Sequence, residues 1–202
     1  MLRHQSDGKF DLKKGAATMK VDDAVGVPER KWFVAQVGQN AEKSSRDHLI
    51  RLGYDAFVAS KDEIRSWSNG KQKHVEVVII STWVFVHVTE EERRQIVNLP
   101  FIKRFMVNRT MVNPNGFHSL AVIPDSQMDM LKFMLYRAEK PVQLVSAFAK
   151  GDRIRVIRGS LSGLEGQIVT LYGSDEKMIG VNLGFLGCAV TQISTEDITK
   201  LP

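Results

Sequence analysis

The sequence predicts a protein of the α+β class, in which a mixed domain of strands and helices is followed by a small β-barrel. Strand-like and helix-like segments alternate over residues 31–139, whereas residues 148–202 contain five short strand-like runs and no helical pattern. Five short strands separated by turns are typical of a small barrel. We expect residues 140–147 to form the linker between the two domains.

Residues 1–30 differ from the rest of the chain, because they are rich in Lys, Asp, Gly and Ala and show no sustained hydrophobic period. This composition predicts an N-terminal extension that is mobile or only locally ordered. The first residues also contain no apolar run of the kind found in secretory signals, so none is expected.

The mixed domain begins with "KWFVAQV", residues 31–37, which predicts a strand that is partly apolar on both faces. Asn40 then precedes a helical pattern over residues 41–52, and we interpret it as the N-cap. Gly53 follows at the position where helices often end in a left-handed residue. The segment "YDAFVAS", residues 54–60, predicts the second strand.

Asn69-Gly70 lies between two strand-like runs and is a strong signal for a hairpin turn. The strand that leaves this turn continues into "STWVFVHV", residues 81–88. Thr89 and Glu92 then have the spacing of a capping box, which predicts a short helix extending to about Asn98.

The last part of the mixed domain contains a strand, "FIKRFMV" at residues 101–107, and a turn cluster, Asn-Pro-Asn-Gly at residues 113–116. Asp125 is interpreted as the N-cap of a third helix ending near residue 138. Three apolar residues of this helix have core spacing: Met128, Leu131 and Leu135.

The five strand-like runs of the barrel are residues 153–157, 167–172, 178–183, 188–193 and 198–201. The loop between the first two holds Gly159, Gly163 and Gly166, which we interpret as supplying the positive φ of a tight turn. These glycines precede a strand rather than a helix, so they do not form a phosphate-binding loop. The loop contains no evident catalytic group, which points to an architectural role or a protein partner.

Composition sets further bounds on function. The chain has 202 residues, 43% hydrophobic and 25% charged, as in ordinary soluble globular proteins. Its net charge of +5 fits a partner with phosphates or an acidic surface. The longest apolar run, residues 75–88, is too short and too polar to span a membrane, so no membrane association is expected. Cys188 is the only cysteine, which excludes an internal disulfide and favours a cytoplasmic setting.

The sequence does not predict an enzyme. None of the five histidines pairs with another at metal-ligand spacing, and Cys188 has no second thiol with which to hold zinc. Ser160 and Ser162 have no evident base, and no nucleotide-binding motif occurs. We therefore expect no catalytic residue, no metal and no cofactor.

Two sets of side chains are candidates for recognition. Trp83 and Phe85 alternate with valines and should share one face of a strand, where Phe105 of another strand would complete an aromatic patch for an apolar partner. Burial in the core is the alternative for such residues. Basic residues form small groups that either face solvent or contact a nucleic-acid backbone; these are Lys71, Lys73 and His74, then Arg93 and Arg94, then Lys103 and Arg104.

Taken together, these segments resemble the NusG-type transcription elongation factors over residues 31–202. The mixed domain resembles the NGN domain through "KWFVAQV", "LIRLGYDAFV", "STWVFV" and "FIKRFMV". The second domain resembles a KOW domain, an SH3-like barrel, through "KGDRIRVIRGSLSGLEGQIV", in which Gly166 matches the glycine between loop and strand.

The resemblance implies a non-enzymatic factor whose NGN domain binds the clamp helices of RNA polymerase. By position, Trp83, Phe85 and Phe105 match the aromatic residues of that contact, and Arg93 and Arg94 would face non-template or upstream DNA or the opposing polymerase lobe. The KOW loop, represented by Gly159, Leu161, Leu164 and Gly166, would bind a second protein, such as a ribosomal protein or Rho.

Departures from the family pattern indicate a specialised member. Ser81 and Thr82 replace the Pro-Gly that precedes the aromatic strand in the family, and Leu161 replaces a Phe of general members. The chain most resembles the UpxY-type antiterminators, which act on long polysaccharide operons. Two alternatives remain open: a general factor that couples polymerase to Rho or the ribosome, and a ribosome-associated KOW protein that binds RNA.

Overall fold

A computed structural model describes residues 28–66, 70–146, 148–173 and 176–202. Its helices are α1 Glu42–Arg51, α2 Glu90–Ile96 and α3 Asp125–Arg137. Its strands, in chain order, are β1 Lys31–Gln36, β2 Asp55–Phe57, β3 Ser60–Ser66, β4 Gln72–Val78, β5 Trp83–Val88, β6 Arg104–Phe105, β7 Val107–Val112, β8 His118–Leu120, β9 Val122–Ile123, β10 Gln143–Val145, β11 Phe148–Val156, β12 Glu165–Leu171, β13 Lys177–Asn182, β14 Cys188–Gln192 and β15 Ile198–Lys200.

An antiparallel sheet forms the centre of the N-terminal part, in the order β2-β5-β1-β6, with β9 also paired to β1. Strand β1 is apolar on both faces because helices cover both. On one side, Val34 and its register partner Phe85 lie beneath α3. On the other side, Phe33 and Ala35 belong to the cluster that includes Leu49 of α1.

Two of the local signals predicted for helix ends are present in the structure. The capping box is confirmed: the Thr89 side chain accepts from the Glu92 N–H at 3.2 Å, and the Glu92 carboxylate accepts from the Thr89 N–H at 2.9 Å. Gly53 has the predicted left-handed backbone, with φ of +90°.

The other two predicted N-caps are wrong. Asn40 has a φ of +61° and lies one residue before Ala41, which occupies the N-cap position without a side-chain cap. Asp125 is the first helical residue after Pro124, and its carboxylate lies 3.7 Å from Nε2 of His87. The carboxylate is therefore near a ring from the sheet rather than capping its own helix.

Two hairpins extend from the sheet. Strands β3 and β4 pair from Ser60↔Val78 to Ser66↔Gln72, as the turn signal predicted, although Asn69 lies outside the described residues. Strands β7 and β8 flank the predicted turn at residues 113–116, where the Asn113 N–H donates to the Phe117 carbonyl at 2.8 Å.

All five strands predicted for the C-terminal part form, as β11 to β15, within a six-stranded antiparallel sheet ordered β10-β14-β13-β12-β11-β15. Strand β11 begins at Phe148, earlier than predicted, and β10 lies inside the segment predicted as a linker. Among the described residues, the outer strands β10 and β15 do not pair with each other, so the closed barrel of the sequence prediction is not shown.

The three glycines between β11 and β12 have two different structural roles. Gly159 and Gly163 have φ of +80° and +93°, as turns require. Gly166 instead belongs to β12, and a Cβ there would lie 2.7 Å from the Gly180 carbonyl oxygen. The expectation that all three supply positive φ is therefore wrong for Gly166, which permits close approach of two strands.

The two parts of the chain are packed together. One apolar cluster extends from the sheet through Met130 and Phe133 of α3 into the C-terminal sheet. The hydroxyl of Thr191 donates to the carbonyls of Pro141 at 3.1 Å and Lys140 at 3.3 Å, which attaches the connecting segment to β14. Of the helices in the described ranges, none is both long and apolar enough to cross a bilayer.

Candidate functional site

Trp83 and Phe85 share a sheet face, as predicted, but only Trp83 is accessible. Their register partners on β1 are Gln36 and Val34, two residues apart on the same side. Phe85 is fully buried, with its ring centroid 6.0 Å from that of Phe57. Trp83 is half-buried at the border of the cluster beneath α3.

Phe105 lies on the opposite face of the sheet, so the predicted patch of three aromatic side chains does not form. It pairs with Ala35, whose neighbours Val34 and Gln36 face the other way. Its ring meets Phe33 edge-on, with 6.2 Å between centroids, and its exposed fraction is 6%. Phe105 is therefore a core residue on the side of α1 and α2.

Arg104, and not Phe105 as predicted, lies on the same face of the sheet as Trp83. Gln36 pairs with Trp83 on one side and Arg104 on the other, which aligns the three side chains across β5, β1 and β6. The Nε of Arg104 donates to Oε1 of Gln36 at 2.7 Å. This row, Trp83–Gln36–Arg104, combines an aromatic ring with a guanidinium, two of the groups most enriched at protein interfaces.

The row was not predicted from the sequence, where Arg104 is recognisable only as a member of a basic group. The alternation of side chains along β1 places Gln36 on the Trp83 face. The position of Arg104, however, depends on the pairing of a two-residue strand, for which the sequence carries no local signal.

Arg93 and Arg94 have different environments on α2. Both contact Glu90: Nη2 of Arg93 at 2.7 Å and Nε of Arg94 at 3.4 Å. The Arg93 side chain is 13% exposed, with its guanidinium carbon 5.4 Å from the Phe105 ring centroid, whereas the Arg94 side chain is 70% exposed. The hydrogen bonds from Arg93 are the main reason that the pKa of Glu90 is lowered.

A cluster of hydrogen-bonded polar side chains joins α1 to the β3–β4 hairpin. Arg46 donates to the Glu76 carboxylate at 2.5 Å, and the Ser60 hydroxyl donates to the same oxygen at 2.6 Å. Burial alone would raise the pKa of Glu76, but these hydrogen bonds outweigh it and leave the pKa lowered. The carboxylate therefore stays ionised and fixes the base of the hairpin.

His87 lies on the interior strand β5, where it pairs with Asp55 of β2 on one side and Trp32 of β1 on the other. Its Nδ1 is 3.6 Å from Asp55 and its Nε2 is 3.7 Å from Asp125, while its ring stacks on Trp32 with 4.8 Å between centroids. Nζ of Lys132 lies 4.2 Å from the Trp32 ring centroid. Within the described part of the chain, no group of His, Cys, Asp and Glu side chains is arranged to hold a metal ion.

The leucines of the C-terminal loop are core residues. Leu161 and Leu164 are 7% and 3% exposed, and the loop is closed by a hydrogen bond from the Gly163 N–H to the Val156 carbonyl at 2.9 Å. As placed, they cannot offer the partner surface expected of them. The loop instead borders a cavity of about 410 Å³ against α3, next to Met130 and Phe133.

Comparison with known proteins defines the class of molecule. The family model described as "Transcription termination factor nusG" matches residues 30–132, which places the protein among the NusG-type transcription factors. Because the match spans just over half of the 202 residues, the chain belongs to the NusG family. This family is non-enzymatic, consistent with the expectation that the protein is not an enzyme.

Two solved structures resemble the chain at low identity. A structure titled "Domain interaction in Thermotoga maritima NusG" has a TM-score of 0.44 and 15% identity, covering 86% of this chain and 98% of that chain. The structure of an MjSpt4:Spt5 complex has a TM-score of 0.26 and 11% identity, covering 84% of this chain and 97% of that one. No curated protein sequence matches.

Proposed function

We propose that this protein binds RNA polymerase through its N-terminal part, residues 31–139, and suppresses pausing or termination. Membership in the NusG family supports this proposal. The observation that carries it is the accessible Trp83 at the head of the Trp83–Gln36–Arg104 row. Aromatic and Arg side chains at the centre of an interface supply much of its binding energy.

The roles of the predicted contact residues differ under this proposal. Trp83 contacts polymerase directly, whereas the buried Phe85 supports the strand beneath it and Phe105 stabilises the opposite face. Binding would favour the closed state of the polymerase clamp and disfavour paused states, because a ligand shifts an equilibrium toward the state it binds better.

We further propose that the factor acts at a limited set of operons, as the UpxY-type antiterminators do at polysaccharide operons. The departures at Ser81, Thr82 and Leu161 support a specialised role. The C-terminal part, residues 148–202, would recruit a second protein, with a ribosomal protein and Rho as candidates. Since Leu161 and Leu164 are buried, we assign this contact to exposed apolar residues of the same part, Ile157 and Tyr172.

Pull-down of purified RNA polymerase tests the central claim. Trp83→Ala should weaken binding more than tenfold, since losing an interfacial Trp typically costs about 2 kcal/mol or more. Tyr136→Ala is the matched control, because this ring is exposed on α3 and lies outside the row. Wild-type affinity in a folded Trp83→Ala protein would exclude the proposed face.

Chromatin immunoprecipitation separates the specialised role from the general one. Occupancy confined to a few operons is the expected result, and occupancy across most transcribed genes would mean a general factor. Co-sedimentation with ribosomes, without any polymerase binding, would favour the alternative of a ribosome-associated protein.

A further inference from the structure

The guanidinium of Arg104 is held by a neutral side chain rather than by a carboxylate. Its Nε donates to Oε1 of Gln36 at 2.7 Å. Among the described residues, no Asp or Glu forms an ion pair with Arg104, whereas Arg46, Arg93 and Arg155 each contact a Glu carboxylate. The Arg104 side chain is exposed, so Nη1 and Nη2 are available to an anion from outside the chain.

Arg104 also lines a cleft of about 520 Å³ along β6 and β7. Arg109 is the second cation of this lining, and no Asp or Glu is among the described residues that form it. The other walls are largely apolar and include Met106, Val107 and the half-buried ring of Phe185 from the C-terminal part. A cationic recess with apolar walls and no carboxylate is complementary in charge to an acidic side chain.

The cleft lies next to the face proposed to contact polymerase, because Arg104 belongs both to its lining and to the Trp83–Gln36–Arg104 row. Adjacent strands are about 4.8 Å apart, so the backbones of Trp83 and Arg104, on either side of β1, are about 10 Å apart. A protein that covers Trp83 therefore brings its own side chains to the Arg104 guanidinium.

The surroundings of Arg104 favour a carboxylate over a phosphate as the missing anion. Both groups match the fork of a guanidinium. Interfaces with nucleic acid, however, are polar and strongly cationic. Here Trp83 borders an apolar cluster, and the cleft beside Arg104 has apolar walls. The combination of Trp, Arg and apolar surface is that of a hot spot between two proteins.

We propose that Arg104 forms a bidentate ion pair with a carboxylate of the protein partner, which enters the cleft beside Phe185, and that Gln36 positions the guanidinium for it. This inference rests on the proposed function, since it concerns the face that carries Trp83. The neutral oxygen of Gln36 orients Arg104 without cancelling its charge. A glutamate at this position would hold Arg104 as firmly but would neutralise the charge that the partner requires.

Biolayer interferometry with full-length protein and purified RNA polymerase, free of DNA and RNA, tests the inference. Arg104→Gln should weaken binding about tenfold, the usual effect of losing a charge-assisted hydrogen-bonded pair. It should also reduce the dependence of affinity on salt, because ion pairs are screened. Arg104→Lys should restore part of the affinity, since it keeps the charge but not the fork.

Gln36→Glu separates an intermolecular role of Arg104 from a structural one. If Arg104 awaits a carboxylate of the partner, Gln36→Glu should weaken binding about as much as Arg104→Gln. If Arg104 only ties β6 to β1, Gln36→Glu should leave the affinity unchanged, and the inference would be wrong. Urea unfolding verifies that each variant is folded.

The positioning role of Gln36 has its own test. Gln36→Ala keeps the charge of Arg104 but releases its side chain, so it should weaken binding about threefold through the cost of ordering that side chain. In an Arg104→Gln background the same change should have no effect, because Gln36 acts through Arg104. An equal effect in both backgrounds would show that Gln36 contacts the partner independently.

Lys103→Gln is the matched control, because it removes an adjacent exposed cation that does not line the cleft. It should bind polymerase as the wild type does. Equal weakening by Lys103→Gln and Arg104→Gln would mean that only the general field of the protein matters. An effect of Arg104→Gln that appeared only after nucleic acid was added would identify phosphate as the anion. Either result would overturn the inference.

Carbodiimide cross-linking identifies the carboxylate. Arg104→Lys introduces an amine at this position, which carbodiimide joins to a carboxylate in contact with it. Mass spectrometry should locate a cross-link that is absent from the wild type on one acidic residue of polymerase. New cross-links scattered over many acidic residues would contradict a defined ion pair.

The same binding measurements distinguish failure of this inference from failure of the proposed function. If Trp83→Ala loses polymerase while Arg104→Gln and Gln36→Glu bind as the wild type does, only the inference is wrong. If none of the three variants changes the affinity, the proposed face is wrong as well.

Discussion

The carboxylate of Glu42 accepts a hydrogen bond from the backbone N–H of Thr82 at 2.6 Å, joining the first turn of α1 to the segment that leads into β5. Glu42 is buried, and Thr82 has a φ of +67°, which is rare for a β-branched residue. The family pattern has a glycine where this chain has Thr82. The hydrogen bond therefore supports a backbone conformation that a glycine would adopt without strain.

Exchanging the strained residue should stabilise the protein. Thr82→Gly should raise the free energy of unfolding by about 1 kcal/mol, since relief of strain exceeds the entropy cost of glycine. Glu42→Ala should lower it by about 2 kcal/mol, because the partly buried Thr82 N–H loses its acceptor. Urea unfolding followed by circular dichroism measures both, and a destabilised Thr82→Gly protein would contradict the first expectation.

Substitution of Arg93 should affect the stability of the protein, whereas substitution of Arg94 should affect only its interactions. Arg93→Ala should lower stability by about 1 kcal/mol, because the largely covered Arg93 side chain spans Phe105 and pairs with Glu90. Arg94→Ala should leave the melting temperature unchanged, since an exposed ion pair contributes little. If Arg94 meets nucleic acid in the elongation complex, its variant should reduce antipausing activity and flatten the salt dependence of that activity.

Gly166 should tolerate no side chain. Gly166→Ala places a Cβ 2.7 Å from the Gly180 carbonyl oxygen and 2.9 Å from Cγ1 of Ile179, so β12 and β13 must move apart. We expect a loss of about 2–3 kcal/mol, as in overpacked cores. Gly38→Ala serves as a control, because its Cβ would meet only Ala41 at 3.6 Å. Equal unfolding midpoints for the two variants would show that β12 and β13 are not so closely packed.

The thiol of Cys188 should not react with alkylating reagents in the folded protein. Burial raises the pKa of its thiol to about 11, with a smaller opposing effect from Lys150. Iodoacetamide at pH 8.5 should therefore modify it only after unfolding in urea. Rapid alkylation of the native protein would mean that β14 is not covered as described.

The same shift predicts a loss of stability in alkali. The folded pKa exceeds the unfolded value of 9.0, so the folded state binds more protons between these values. The stabilising contribution is complete below pH 9 and falls, by roughly 2–3 kcal/mol in total, as pH rises towards 11. Cys188→Ala should lack this component, which a comparison of the two stability profiles between pH 8 and pH 11 would reveal.

Local signals in the sequence determined most of the secondary structure. The capping box at Thr89, the left-handed Gly53 and the turn at residues 113–116 all formed as predicted, because each depends on contacts within a few residues. Strand positions in the C-terminal part followed from alternation and turn residues. The shared face of Trp83 and Phe85 followed from the two-residue period of a strand.

Tertiary structure decided which of these residues can reach a partner. Phe105 points away from Trp83 because the register of β6 on β1 sets its face, and register depends on pairing with a distant strand. Phe85, Leu161 and Leu164 are buried because α3 and the C-terminal sheet cover them, which no local pattern encodes. The Trp83–Gln36–Arg104 row exists only where three strands meet, since its members are separated in the chain by tens of residues and joined by hydrogen bonds between strands.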